Sequence, residues 1–173
     1  MERAQQQGAV VFILVTLMLG ILHTAVSVEA QYSNYEIQSF LGPQNEARAQ
    51  VGLPPLVWNN NLAAFAHNWA MERLQYGDCR LEHSGGPYGE NIFWGVGKDW
   101  QPWEAVQEWV HERNWYDYYT NTCLYSDACG HYTQIVWRQT TQVGCSRQEC
   151  PDGNIFMTCN YYPRGNWIGH RPY

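Results

Sequence analysis

The chain has 173 residues, 45% of them hydrophobic and 15% aromatic, and a formal net charge of −6 at pH 7. Nine tryptophans and twelve tyrosines are ample for one compact core, so a single folded domain is expected. No basic run or patch interrupts the acidic balance, which excludes nucleic acid as a partner class and leaves the charge a solubilising role.

Residues Met1 to Ala30 read as a secretory signal. Arg3 lies in a short polar lead, an apolar run follows from Gly8 to Leu22, and Val28 and Ala30 stand where signal peptidase reads. The apolar run is shorter than the ~20 residues of a spanning helix, so a leader is favoured over a membrane anchor. Cleavage between Ala30 and Gln31 leaves residues 31–173 as the mature domain, with no transmembrane segment expected. Six cysteines, Cys79, Cys123, Cys129, Cys145, Cys150 and Cys159, all follow the leader. An even count in a secreted chain reads as three disulfides rather than a metal cluster, and spacing alone leaves their pairing open.

The first half reads as helical. Ile37 to Val51 is a candidate helix that Gly42-Pro43 is predicted to delay or restart near Gln44, and Gly52-Leu53-Pro54-Pro55 closes it. Asn59-Asn60-Asn61 offers N-caps for a second helix, whose Leu62, Phe65, Ala66, Trp69, Ala70 and Leu74 form a core stripe and whose stop is Gly77. From Cys79 to Gly97 the chain is too rich in glycine for a regular element and is expected to be a loop. It holds His83 and Glu90. Such a loop can carry function, or form a wall in which Glu90 and Asn91 satisfy backbone amides. Pro102 begins a third helix, predicted to run to Tyr119 with Trp103, Val106, Trp109 and Val110 buried. Of its spaced acids Glu104, Glu108 and Glu112, the last lies nearest the apolar stripe, about 120° from its centre against about 160° for Glu108.

The second half turns to strand. Thr133 to Arg138, Gln142 to Arg147 and Ile155 to Asn160 read as three strands, the last two joined by a turn containing Pro151-Asp152-Gly153-Asn154. His131 then stands at a strand mouth, where an imidazole can face a cleft, although a lone histidine there is more often structural. Helices first and an antiparallel sheet after imply an α+β layered domain.

Two segments carry a resemblance. Gly130-His131-Tyr132-Thr133-Gln134-Ile135-Val136-Trp137-Arg138 and the run Phe156 to Trp167 resemble the signatures of the superfamily that joins cysteine-rich secretory proteins, antigen five and the pathogenesis-related one proteins. His83-Ser84 followed by Gly89-Glu90-Asn91, and the ending Gly165 to Tyr173, resemble the plant pathogenesis-related one branch. The resemblance implies an α-β-α sandwich with a central antiparallel sheet of three or four strands. It implies disulfides Cys79–Cys150, Cys123–Cys129 and Cys145–Cys159, and a cleft tetrad of His83, Glu90, Glu112 and His131, with Glu112 matched through Trp109-Val110-His111-Glu112. One departure is Gln44 before Asn45, where members often carry histidine; it is expected to alter the rim of the first helix and to leave the tetrad alone.

Two imidazoles and two carboxylates suit zinc or another divalent ion, yet the same groups can satisfy one another, so no cofactor is required. No catalytic residue is assigned, because Ser84 beside His83 is the only nearby hydroxyl. The resemblance implies an extracellular defence protein of the apoplast or vacuole, monomeric, that binds sterols or other lipids of fungi and oomycetes. Trp115, Tyr116, Tyr118, Tyr119 and Tyr125 are the expected lipid-binding surface. An alternative makes Pro163 to Tyr173 a signalling peptide, released between Tyr162 and Pro163 by a processing protease and read by a receptor. Its proline and glycine content suggests an exposed, cleavable terminus. A second alternative is a metal-dependent hydrolase using the tetrad.

Overall fold

The computed structural model describes residues 33–173 apart from 77–78 and 125–128. The leader, its cleavage point, Gly77 and Tyr125 lie outside the described residues. Helix α1 spans Asn34–Gln50, capped by the Ser33 hydroxyl, which accepts from Glu36 N at 3.1 Å. It does not restart at Gly42-Pro43. Phe40, Gln44, Ala47 and Arg48 are buried on both sides of Pro43, and Gln44 Nε2 donates to Phe40 O at 3.0 Å across that turn. Tertiary burial thus outweighs one missing N–H. The helix closes at Gly52, whose φ of +74° suits glycine, with Leu53 N reaching back to Arg48 O at 3.0 Å.

The next elements are β1 (Val57–Trp58) and α2 (Asn60–Tyr76). Asn59 is the cap of α2, its Oδ1 accepting from Asn61 N at 2.8 Å and Leu62 N at 3.2 Å. Then comes β2 (Gly89–Gly95), in the segment expected to be a loop. Its glycines serve close approach: a Cβ on Gly89 would collide with the Gln134 side chain, and one on Gly95 with Trp100.

Helix α3 spans Pro102–His111, shorter than predicted, and tightens into a 3₁₀ turn at Glu112–Trp115 before the β3 (Tyr116–Asp117) and β4 (Thr122–Cys123) hairpin. Its buried side chains are Pro102, Ala105, Val106 and Trp109, whereas Trp103 is 40% exposed. Helix α4, Gly130–Ile135, replaces the strand predicted from Thr133. Tyr132, Ile135 and Val136 are all buried, a helical spacing that the β-branched composition disguises. Strands β5 (Gln142–Glu149) and β6 (Ile155–Tyr162) complete the set.

The sheet runs β1-β5-β6-β2, antiparallel except that β1 pairs with β5 in parallel. Alternation along its strands sorts the core. Val143, Cys145, Met157, Cys159 and Tyr161 join Phe40, Ala47, Val106, Trp109 and Ile135, while Ile92 and Phe156 join Ala70 of α2. Helices therefore cover both faces, giving an α-β-α sandwich. At Gly144 a Cβ would meet the backbone of Ala63 and Asn59, so α2 rests directly on the sheet. Disulfides link Cys79 to Cys150, Cys123 to Cys129, and Cys145 to Cys159, the last two residues facing each other across β5 and β6. Among the described residues no helix is long and apolar enough to cross a membrane.

Arg48 ties α1 to α4 and the turn after it. Fully buried, it donates from Nε to Pro54 O (2.8 Å), from Nη1 to Ile135 O and Trp137 O (2.9 Å each), and from Nη2 to Thr140 O (3.0 Å). Burial pushes its pKa down to about 10, still well above neutral pH. Replacing Arg48 with Met would strip four carbonyls of a partner. The expected loss is about 3 kcal/mol or more, read from urea unfolding, and Arg48→Lys should recover only part because one ammonium cannot span all four acceptors.

Candidate functional site

Glu112 sits at the C-cap of α3, and its carboxylate meets the start of α4. Oε2 accepts from His131 N (2.9 Å) and Tyr132 N (3.2 Å), while Oε1 lies 2.6 Å from His131 Nδ1. A carboxylate on the free amides of a helix N-terminus is favourable, and here it also fixes the imidazole. Trp109 stacks on His131 with ring centroids 5.8 Å apart, and its Nε1 donates to Ile92 O at 3.2 Å. His131 is thus on a helix, not at a strand mouth.

The second pair is His83 and Glu90, with Nδ1 and Oε1 2.8 Å apart. Glu90 also accepts from Ser84 N at 2.8 Å and from Asn160 Nδ2 at 3.1 Å. Burial works to raise the Glu90 pKa, but the bonds from His83, Ser84 and Asn160 outweigh it and hold the carboxyl below its ordinary value. The hydrogen bond to Glu90 raises the His83 pKa, against a smaller opposing effect of desolvation. Ser84 Oγ accepts from Gly86 N at 3.2 Å.

The two pairs occupy different layers. Glu90 and its register partner Asn160 share the sheet face of Ile92 and Phe156, which meets α2, whereas Glu112 and His131 belong to α3 and α4. Asn91 on the opposite face joins them, donating to His131 O (3.1 Å) and Tyr161 OH (3.2 Å). Tyr161 in turn donates to Gln44 Oε1 at 2.8 Å. Gln44 is fully buried, so this departure lies in the core rather than on a rim, three hydrogen bonds from the His131 backbone. Among the described residues no three His, Cys, Asp or Glu side chains are gathered to hold a metal ion. Each glutamate serves one histidine. No step is derived through a metal ion.

Two clefts adjoin these pairs. One of about 250 Å³ runs past His83, Tyr88, Glu90, Gln134 and Arg164. The other, about 280 Å³, lies among Tyr116, Cys123, Trp137, Trp167, Ile168 and Pro172. Of the expected lipid-binding residues among those described, only Tyr116 lines the second cleft. Trp115 packs edge-on against His111, Tyr118 stacks on Tyr173 with centroids 5.1 Å apart, and Tyr119 is 89% exposed. Burial pushes the Tyr116 phenol up to about 12. The remaining apolar wall comes from the C-terminal segment, whose contacts lie too far away in sequence for any local pattern to show.

Residues 41–161 match the family model described as "Cysteine-rich secretory protein family". The chain belongs to that family. Within it, the sequence is 51% identical to pathogenesis-related protein PRMS of Zea mays over 92% of this chain and 95% of that protein. It is 49% identical to pathogenesis-related protein PR-1 of Medicago truncatula, over 91% and 92%. Among solved structures, NaASP2 with Zn2+ is similar at 24% identity and a TM-score of 0.67, covering 82% of this chain and 86% of that one; this likeness shows the fold alone. The family's helix-sheet-helix plan, antiparallel-rich sheet and three disulfides are those described above.

The His83–Glu90 pair makes a pH prediction. His83, raised from 6.5, contributes stability that is fully present below 6.5 and lost as pH rises through its folded value. Glu90, lowered from 4.5, contributes stability present above 4.5 and lost as pH falls through its folded value. The pair is therefore strongest between 4.5 and 6.5. In thermal unfolding followed across pH, His83→Gln should flatten the decline on the alkaline side of this window.

Proposed function

We propose that the protein is a secreted plant defence protein of the pathogenesis-related one type, acting outside the cell by taking up sterols or other lipids of pathogen membranes. The observation that carries the defence role is identity of 42–51% to curated pathogenesis-related proteins such as those of maize and tobacco, over more than 90% of this chain. The lipid part is supported by the cleft between the β3–β4 hairpin and the C-terminal segment. Trp137 and Trp167 give it apolar walls, and Thr133 and Asn166 supply polar anchors, the balance a sterol with one hydroxyl requires. Neither histidine pair lines this cleft, so lipid uptake needs no metal. The test is a free-sterol titration of the oxidised mature protein with and without zinc, repeated on His83→Ala/His131→Ala. Saturable binding that survives the double substitution is expected; no binding under any condition removes the lipid reading.

A second reading, release of Pro163 to Tyr173 as a peptide, is favoured by one observation: the scissile neighbourhood is open, with Tyr162 51% exposed and Pro163 and Arg164 also exposed. The rest of the segment is not the free terminus its composition suggests. Pro163 O accepts from Thr140 Oγ1 (2.8 Å), Gly165 N donates to Gln134 Oε1 (3.0 Å), His170 O accepts from Asn121 Nδ2 (3.2 Å), and Pro172 O accepts from Arg138 N (2.6 Å). Arg171 donates to the carbonyls of Tyr118 and Tyr119. Cutting the Tyr162–Pro163 bond should therefore leave the eleven residues bound to the body on native gel filtration and free them only under mild denaturant. Immediate loss of the fragment would contradict this.

A further inference from the structure

We propose that the turn at residues 167–170 is a membrane-docking tip that seats Ile168 and Trp167 at the interface of an anionic lipid surface. His170 N donates to Trp167 O at 3.0 Å, and Gly169 has φ +80°. A tight turn with a positive φ at its third position projects the second residue outward, and glycine is what permits it. That second residue is Ile168, 100% exposed, beside Trp167 at 52%. An isolated surface apolar residue needs no explanation, but this one is held in a fixed pose. Asn166 Nδ2 donates to Gly130 O (2.8 Å), Thr133 Oγ1 donates to Asn166 Oδ1 (2.8 Å), and Asn121 grips His170 O. The tip is preorganised, so little ordering cost is incurred on contact.

The surroundings have the chemistry of a bilayer interface. Arg164 lies over the Trp167 ring at 5.1 Å and Arg171 over Tyr118 at 5.2 Å. Residues 163–173 hold Arg164, His170 and Arg171 and no acid, on a chain whose net charge is −6. The acid on the hairpin, Asp117, accepts from Tyr119 N at 2.8 Å and interacts electrostatically with Arg171, so it offsets part of this positive charge. Indole and phenol rings settle at headgroup depth, guanidinium groups meet phosphate oxygens there, and an aliphatic apex enters the acyl boundary. A protein partner would have to supply a pocket shaped for a convex apex, whereas a bilayer accepts it without one. The proposal goes beyond lipid uptake in the cleft: it requires no sterol.

The test is co-sedimentation of the secreted, disulfide-bonded protein with sterol-free vesicles of phosphatidylcholine, with and without phosphatidylserine. Partition is expected with phosphatidylserine and should fall as salt is raised. Ile168→Asp should reduce it roughly tenfold and Ile168→Leu should preserve it, both with an unchanged unfolding midpoint because the side chain is exposed. No partition of the parent into either vesicle, indifference to phosphatidylserine, or equal partition of Ile168→Asp and the parent would each overturn the proposal. Because these vesicles contain no sterol, failure here and failure of the sterol titration are separate results.

Discussion

A guanidinium sealed in an apolar interior must be satisfied by whatever surrounds it, and the arrangement around Arg48 follows from that demand. Its acceptors lie on the segment closing α1, on the last residue of α4 and on the turn after it. Unpaired, such a cation would be prohibitively costly to bury, so its four carbonyls are drawn to one point. The short helix α4 is therefore held at both ends by opposite charges. Arg48 takes carbonyls at and beyond its C-terminus, and Glu112 takes the amides of its first turn. Both charges complement the helix dipole. With α4 fixed in this way, His131, Gln134 and Thr140 have fixed positions, and everything docked on them inherits that order.

This explains which parts of the molecule were legible in the sequence. The cap at Asn59, the apolar stripe of α2 and the β5 and β6 strands rest on local spacing, and local spacing suffices to read them. Glu112 was singled out by its angle to the apolar stripe, although α3 ends one residue before it and its carboxylate turns to the start of α4. Helix α4 was not legible. Its β-branched and aromatic residues favour a strand, and the carboxylate that makes it a helix lies 19 residues away. Nor was β2, since Gly89 and Gly95 are needed to clear Gln134 and Trp100, neighbours that only the fold supplies.

The site was legible as residue types and less so as an arrangement. The sequence named His83, Glu90, Glu112 and His131, but the face of the sheet on which Glu90 stands depends on β2 being a strand. The hydrogen-bonded line Gln44–Tyr161–Asn91–His131 crosses from α1 through the sheet to α4, and no spacing rule announces it. The aromatic stretch after Trp115 was visible as composition. Its role depends on Tyr173, which inserts among Tyr116, Tyr118 and Tyr132 from the far end of the chain.

That insertion bears on how the molecule is made. Pro172 and Tyr173 are made after the residues they pack against, for Arg138 N and the hairpin rings are their partners. While the chain is still emerging, α4 and the β3–β4 hairpin lack one wall, and an apolar cleft faces solvent. The domain therefore finishes closing only once Tyr173 can reach the hairpin. An affinity tag fused behind Tyr173 would extend from the middle of a packed aromatic cluster, whereas one placed ahead of Ser33 would leave that closure undisturbed.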